Sequence, residues 1–129
     1  MSMRSKKHIR VSRKSNLPKV IVIAGPTASG KTSLGIDLAL KFNGEVISAD
    51  SRQVYRGLDI GSGKVAKEES KGIPHHLIDI LNPEETYNVF QFQKDCNKLV
   101  KEISKKGKIP IIVGGTGLYI ESVVEQYKF

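Results

Sequence analysis

The stretch GPTASGKT, residues 25–32, directly follows the apolar run KVIVIA. Gly, four residues, then Gly-Lys-Thr is the pattern of a loop that wraps a phosphate group. No other feature constrains the fold as strongly, because the loop works only between a buried strand and a helix whose positive end faces the anion. KVIVIA supplies the strand: β-branched residues crowd it and a glycine ends it. KTSLGIDLALKF supplies the helix, with Leu34, Leu38 and Phe42 recurring every four residues and Asn43-Gly44 closing it.

The alternation continues downstream. EVISA reads as a second strand that ends on Asp50, HHLIDIL as a third and IPIIV as a fourth. DSRQVYRGLDIGSGK carries three glycines without a clear period and reads mainly as loop. VFQFQKDCNKLVKEI places Val89, Phe92, Cys96, Leu99, Val100 and Ile103 on one helical face. GGTG leads into a last helix, LYIESVVEQY. Strands separated by helices imply parallel pairing and a three-layer α/β fold of the P-loop NTPase type, with helices on both faces of the sheet. Ligands in such sheets sit at the carboxyl ends of strands, where Gly25, Asp50 and Gly114 emerge.

With 129 residues the chain forms one domain at most. Its apolar runs fall far short of the roughly 20 residues of a membrane helix, and no apolar signal-peptide core precedes them. Cys96 is the only cysteine, which excludes disulfide frameworks and cysteine-rich metal sites. A cytoplasmic protein without membrane contact is expected. The net charge of +8 is uneven: residues 1–19 hold Arg4, Lys6, Lys7, Arg10, Arg13, Lys14 and Lys19 and no acid. Residues 1–18 therefore read as a basic, disordered tail, and 19–129 as the P-loop core.

At the loop, Gly25 and Gly30 allow backbone N–H groups to converge, and Lys31 brings a full charge. The Thr32 hydroxyl is placed to ligate Mg2+ bridging the phosphate oxygens. The binding segment is Gly25, Pro26, Thr27, Ala28, Ser29, Gly30, Lys31 and Thr32. Asp50 reads either as a turn cap or as a carboxylate facing the loop, a magnesium partner or general base. Asp79 falls inside a strand and is the weaker candidate. His75 and His76 point to opposite faces of a strand, so they cannot share a metal, and both read as structural. Cys96 reads as a core residue. Tyr55, Tyr87 and Tyr119 read as packed rings with a hydroxyl at the rim.

The motifs GPTASGKT, NGEVISADSRQVYRGLDIGSGK, GIPHHLIDI and GKIPIIVGGTGLYI resemble, in order and spacing, those of the tRNA dimethylallyltransferases. The resemblance covers nearly all of Lys19 to Tyr119. It implies that the loop holds the diphosphate of dimethylallyl diphosphate, with Mg2+. The dimethylallyl group would pass to the exocyclic amine of the adenosine next to the anticodon, on a tRNA anticodon stem-loop. It further implies that Asp50 is the base, that Thr27 donates near the leaving oxygen, and that Ser51, Arg52, Gln53 and Thr116 face the tRNA. Family members are usually more than twice this length, so the chain looks truncated to the first half. That leaves an uncovered sheet edge as an expectation, with binding and no turnover for the chain alone, and a monomer for the complete protein. Three alternatives use the same loop: a small-molecule or nucleotide kinase, a prenyltransferase acting on free adenine nucleotides, and a non-catalytic phosphate- or RNA-binding fragment. The absence of any arginine after Arg56 counts against the kinase, which needs such charges on a lid.

Overall fold

The computed structural model describes residues 8–11, 19–25, 30–57, 68–115 and 117–127. Its elements in chain order are β1 (His8–Val11), β2 (Ile21–Ala24), α1 (Lys31–Phe42), β3 (Gly44–Ser48), β4 (His75–His76), α2 (Val89–Lys105), β5 (Ile109–Gly114) and α3 (Leu118–Tyr127). They build one five-stranded sheet in the order β1-β2-β5-β3-β4. β2, β5, β3 and β4 run parallel, as the alternation of elements requires.

Alternate residues of these strands feed two separate cores, which is why the strands read as continuous apolar runs. Ile21, Ile23, Val46, Ile111 and Val113 pack with Ala39 of α1 on one face. Val22, Ala24, Ile47 and Ile112 meet Phe92, Cys96, Val100 and Ile103 of α2 and Ile120 and Val123 of α3 on the other. The three-layer arrangement is therefore as the sequence implies. Cys96 is a buried core residue, and burial pushes its thiol up to about 12, so it is unreactive. Tyr119 stacks on Phe92 with ring centres 4.5 Å apart, and Tyr87 donates to Asp95 Oδ2 at 2.6 Å, so both rings are packing residues. α2 also gains a reciprocal cap: Gln91 N–H donates to the Asn88 side chain, and Asn88 N–H to the Gln91 side chain. No helix among the described residues is long and apolar enough to cross a membrane.

Three expectations need correction. His8–Val11, inside the stretch expected to be disordered, pairs antiparallel with β2, His8 opposite Ala24 and Val11 opposite Ile21. The outer edge of β2 would otherwise carry unpaired N–H and C=O groups, and β1 satisfies them; the sheet is thus mixed and does not end on bare β2. HHLIDIL forms only a two-residue strand, because Leu77 and Asp79 take positive φ angles of 64° and 57°. The chain then turns to hydrogen-bond the 50–57 loop: Asp79 N–H donates to Gln53 O, and Ile80 and Leu81 N–H to Val54 O. Asp79 is accordingly an exposed bend residue and not a strand residue. On α1 the buried positions are Lys31, Gly35, Ile36 and Ala39, whereas Phe42 is 46 % exposed. The helix is tilted onto its small residues, with Gly35 lying close against Val113.

Two contacts hold the sheet from its ends. At the amino end of β3, Glu45 is 1 % exposed and accepts from His76 Nε2 at 2.7 Å, Lys106 Nζ at 3.0 Å and Lys108 Nζ at 3.3 Å. Burial alone would raise its carboxyl pKa; the hydrogen bonds from His76, Lys106 and Lys108 outweigh that and hold it at about 2. At the carboxyl end, a side chain on Gly114 would meet the Ala49 carbonyl oxygen at 2.5 Å.

Glu45→Gln is expected to destabilise the fold by about 2–3 kcal/mol, less than a fully buried pair because both lysines can turn to water. Since the folded carboxyl lies below its ordinary value of 4.5, this contribution is complete above pH 4.5 and is lost as the pH falls toward 2. Urea unfolding across that window should show a steeper loss for the wild type than for the variant. Gly114→Ala should cost about 1–3 kcal/mol in the same assay, because backbone must move to admit the methyl group.

Candidate functional site

α1 begins where the phosphate-loop pattern ends. Gly30 is its N-cap, in the left-handed conformation at φ 78°, and offers no side chain to the first amides of the helix. No acidic residue occupies the first turn. The positive end of α1 is therefore left for an anion. Lys31 follows immediately and is only 5 % exposed. Desolvation lowers its pKa, Asp50 opposes that shift, and Arg52 adds to it. An ammonium so short of water gains more from a phosphate oxygen than one already hydrated.

The strand ends bring the opposite charge to the same place. Gly25 N–H donates to Gly114 O at 3.1 Å, and Ala49 N–H to Val113 O at 2.8 Å, so β2, β5 and β3 finish side by side. Asp50 is the next residue after Ala49. Its Oδ1 accepts from Arg52 N–H at 2.8 Å, which makes it a turn cap. The same carboxylate lines a cleft with Lys31 and Thr32. The two readings of Asp50 are thus compatible: the cap fixes the side chain that the cleft uses.

The described lining of that cleft also contains Ser48, Gln53 and His75, over an apolar floor of Val46, Ile78 and Val113. Ser48 Oγ–H donates to Gln53 Oε1 at 2.8 Å. His75 Nδ1 lies 2.9 Å from Ile73 O, and its Nε2 is buried without a hydrogen-bond partner among the described residues. His76 faces the other way, toward Glu45, so the two histidines do lie on opposite faces.

Of the residues expected at the site, Lys31, Thr32, Asp50 and Gln53 come together in the cleft. Gly25 is buried at the end of β2, and Gly30 caps α1. Ser51 and Arg52 are exposed and are not among the cleft-lining residues. Pro26, Thr27, Ala28, Ser29 and Thr116 lie outside the described residues. Sequence reasoning missed Ser48 and gave His75 a structural role. The signal for Ser48 was present, since it is the polar residue at the carboxyl end of the apolar run, two residues before Asp50. Among the described residues no three His, Cys, Asp or Glu side chains form a metal-holding group. The oxygens of Thr32 and Asp50 suit a magnesium ion only if phosphate oxygens and water complete its shell.

The IPP transferase family model matches residues 53–129. The tRNA dimethylallyltransferase of Carboxydothermus hydrogenoformans is 61 % identical over 111 residues, which are 86 % of this chain and 36 % of that protein. Among solved structures, the tRNA isopentenylpyrophosphate transferase of Bacillus halodurans is 51 % identical with a TM-score of 0.77, over 84 % of this chain and 35 % of that one. A eukaryotic dimethylallyltransferase described as acting on tRNA is 46 % identical with a TM-score of 0.75, over 78 % of this chain and 25 % of that one. The chain spans about a third of the length of the curated relatives it matches. A family match across more than half of the sequence, with relatives this close in residues and in shape, gives one conclusion: the chain belongs to the IPP transferase family.

Proposed function

We propose that this chain is the diphosphate-binding part of a P-loop tRNA dimethylallyltransferase. It would move a dimethylallyl group from dimethylallyl diphosphate to the exocyclic amine of the adenosine next to the tRNA anticodon. One observation carries this reading: a desolvated Lys31 and a fixed Asp50 carboxylate share one cleft at the carboxyl edge of the sheet. A kinase also uses a lysine and a carboxylate; what favours alkyl transfer is that the relatives are tRNA dimethylallyltransferases.

The allylic C–O bond breaks as its electron pair passes to the diphosphate, and the amine lone pair closes the new C–N bond. Lys31 and the first amides of α1 stabilise the charge that develops on the leaving oxygens. Thr27, by resemblance, adds a hydrogen bond there. The amine becomes acidic as it alkylates, and Asp50 takes its proton. The site fits Mg2+ through Thr32, with Asp50 beside it; the ion would supply further charge neutralisation on the diphosphate. Ser51, Arg52 and Gln53 on the 50–57 loop and Thr116 after β5 are proposed to face the tRNA. The target base must leave its stack to reach them, at a cost of a few kcal/mol. The reaction belongs where tRNA is, in the cytoplasm, and one copy of the site is proposed to suffice.

A second reading is favoured by the share of its relatives that the chain spans, about a third: binding of diphosphate or RNA without turnover. The two differ in transfer to an anticodon stem-loop RNA, assayed with labelled dimethylallyl diphosphate.

Lys31→Met is expected to weaken binding of inorganic diphosphate by roughly 10- to 100-fold in calorimetry, the loss of a charge-assisted hydrogen bond. Asp50→Asn should leave that binding equal or tighter while lowering any transfer by about 10²–10⁴-fold. Binding without transfer in the wild type would establish the second reading, and absence of diphosphate binding would exclude both.

A further inference from the structure

The unpartnered nitrogen of His75 is the polar atom that the reaction above leaves unused. A carbonyl oxygen only accepts, so the 2.9 Å contact with Ile73 O places the proton on Nδ1. Burial lowers the pKa of the ring and keeps it neutral. Nε2 then presents a lone pair, and a buried acceptor with no donor costs about 1–3 kcal/mol.

A donor on the same face follows from the sheet register. His75 is paired with Val46, and Ser48 lies two residues further along β3 on the same face. With strands about 4.8 Å apart and about 3.3 Å per residue, the two are diagonal neighbours roughly 8 Å apart at Cα. Both line the cleft. The Ser48 hydroxyl has one proton, and it is given to Gln53 Oε1. Ser48 Oγ makes no hydrogen bond to His75 Nε2 in the resting site, so serving that second acceptor takes a turn of the Ser48 side chain about χ1, which carries Oγ to another staggered position. Gln53 itself stands on the 50–57 loop, held by the backbone contacts from Asp79 and its neighbours.

We propose that His75 is a positioning residue, the second acceptor for Ser48: the hydroxyl turns from Gln53 Oε1 to His75 Nε2 when Gln53 engages the target nucleotide. The ligand-linked half of this rests on the nucleotide-facing role proposed above for Gln53. The exchange keeps one hydrogen bond in the protein throughout. Without His75, a base that took the Gln53 carbonyl would leave the Ser48 hydroxyl unpaired in the cleft. With it, the orphaned lone pair of the resting site is filled in the bound one.

The test reads the nitrogen-15 chemical shift of His75 Nε2, which moves upfield when its lone pair accepts a hydrogen bond. Gln53→Leu removes the competing acceptor with no ligand present; Gln53 is a half-buried loop residue outside both cores, and the backbone amide spectrum would verify that the fold is kept. The Nε2 signal should move upfield in Gln53→Leu and return in Gln53→Leu/Ser48→Ala. An unmoved signal in a folded Gln53→Leu would overturn the exchange. Adding an anticodon stem-loop RNA to the wild type should give the same upfield movement. RNA that binds without moving the signal overturns the ligand-linked half, and RNA that does not bind overturns the proposed function along with that half, the exchange itself being decided by Gln53→Leu. His75→Asn, which keeps a donor for Ile73 O and places no acceptor at the Nε2 position, should weaken RNA binding about fivefold, the worth of one hydrogen bond. That loss should vanish in a Ser48→Ala background; a loss of equal size there would mean that His75 acts only through packing.

Discussion

Three strand ends that come within hydrogen-bonding distance of each other govern the rest of the molecule. Gly25 bonds to Gly114, and Ala49 to Val113, at one edge of the sheet. Because Gly114 has no side chain, the backbone of β3 can lie against β5 at that level. The cleft inherits its geometry from this approach. Lys31 is delivered by the helix that follows β2, and Asp50 by the turn that follows β3. A wider spacing would separate the Lys31 ammonium from the Asp50 carboxylate with which it shares the cleft.

The opposite edge of the sheet is anchored by different chemistry. Glu45 is a buried charge with three donors, on the face where its neighbours Ile47 in β3 and Pro110 and Ile112 in β5 are apolar. A buried ion of this kind contributes little net energy over a well-packed apolar residue, but it is unforgiving of register. Shifting β3 by one residue would turn Glu45 onto the α1 face, away from Lys106, Lys108 and His76. The carboxylate thus fixes which face of β3 carries Ser48 to the cleft.

How much of this was legible in the sequence depended on whether a pattern was local. α1 and α3 span the segments their periodicity marks, and α2 extends only to Lys105 beyond its apolar stripe. The approach of Gly25, Asp50 and Gly114 to one edge follows from strand order alone. What was not legible came from pairings distant in sequence. HHLIDIL has strand composition, yet its backbone is claimed by the 50–57 loop, and Leu77 turns into the core at a positive φ. His75 looked structural because nothing in its neighbourhood reveals that Val46, 29 positions away, is its partner across the sheet. Glu45 gave a signal that only burial makes meaningful: an acid at the head of an apolar strand. β1 was hidden by its charge, since a basic stretch gains order only when an open strand edge is waiting for it.

The direction of β1 follows from how little chain separates it from β2. Only residues 12–20 lie between Val11 and Ile21, fewer than the dozen or more that a crossover between parallel strands takes. Antiparallel pairing, with His8 beside Ala24 and Val11 beside Ile21, is the direction so short a connection allows. The fifth strand is thus added to the four parallel ones without a crossover of its own, and its cost in loop closure is small.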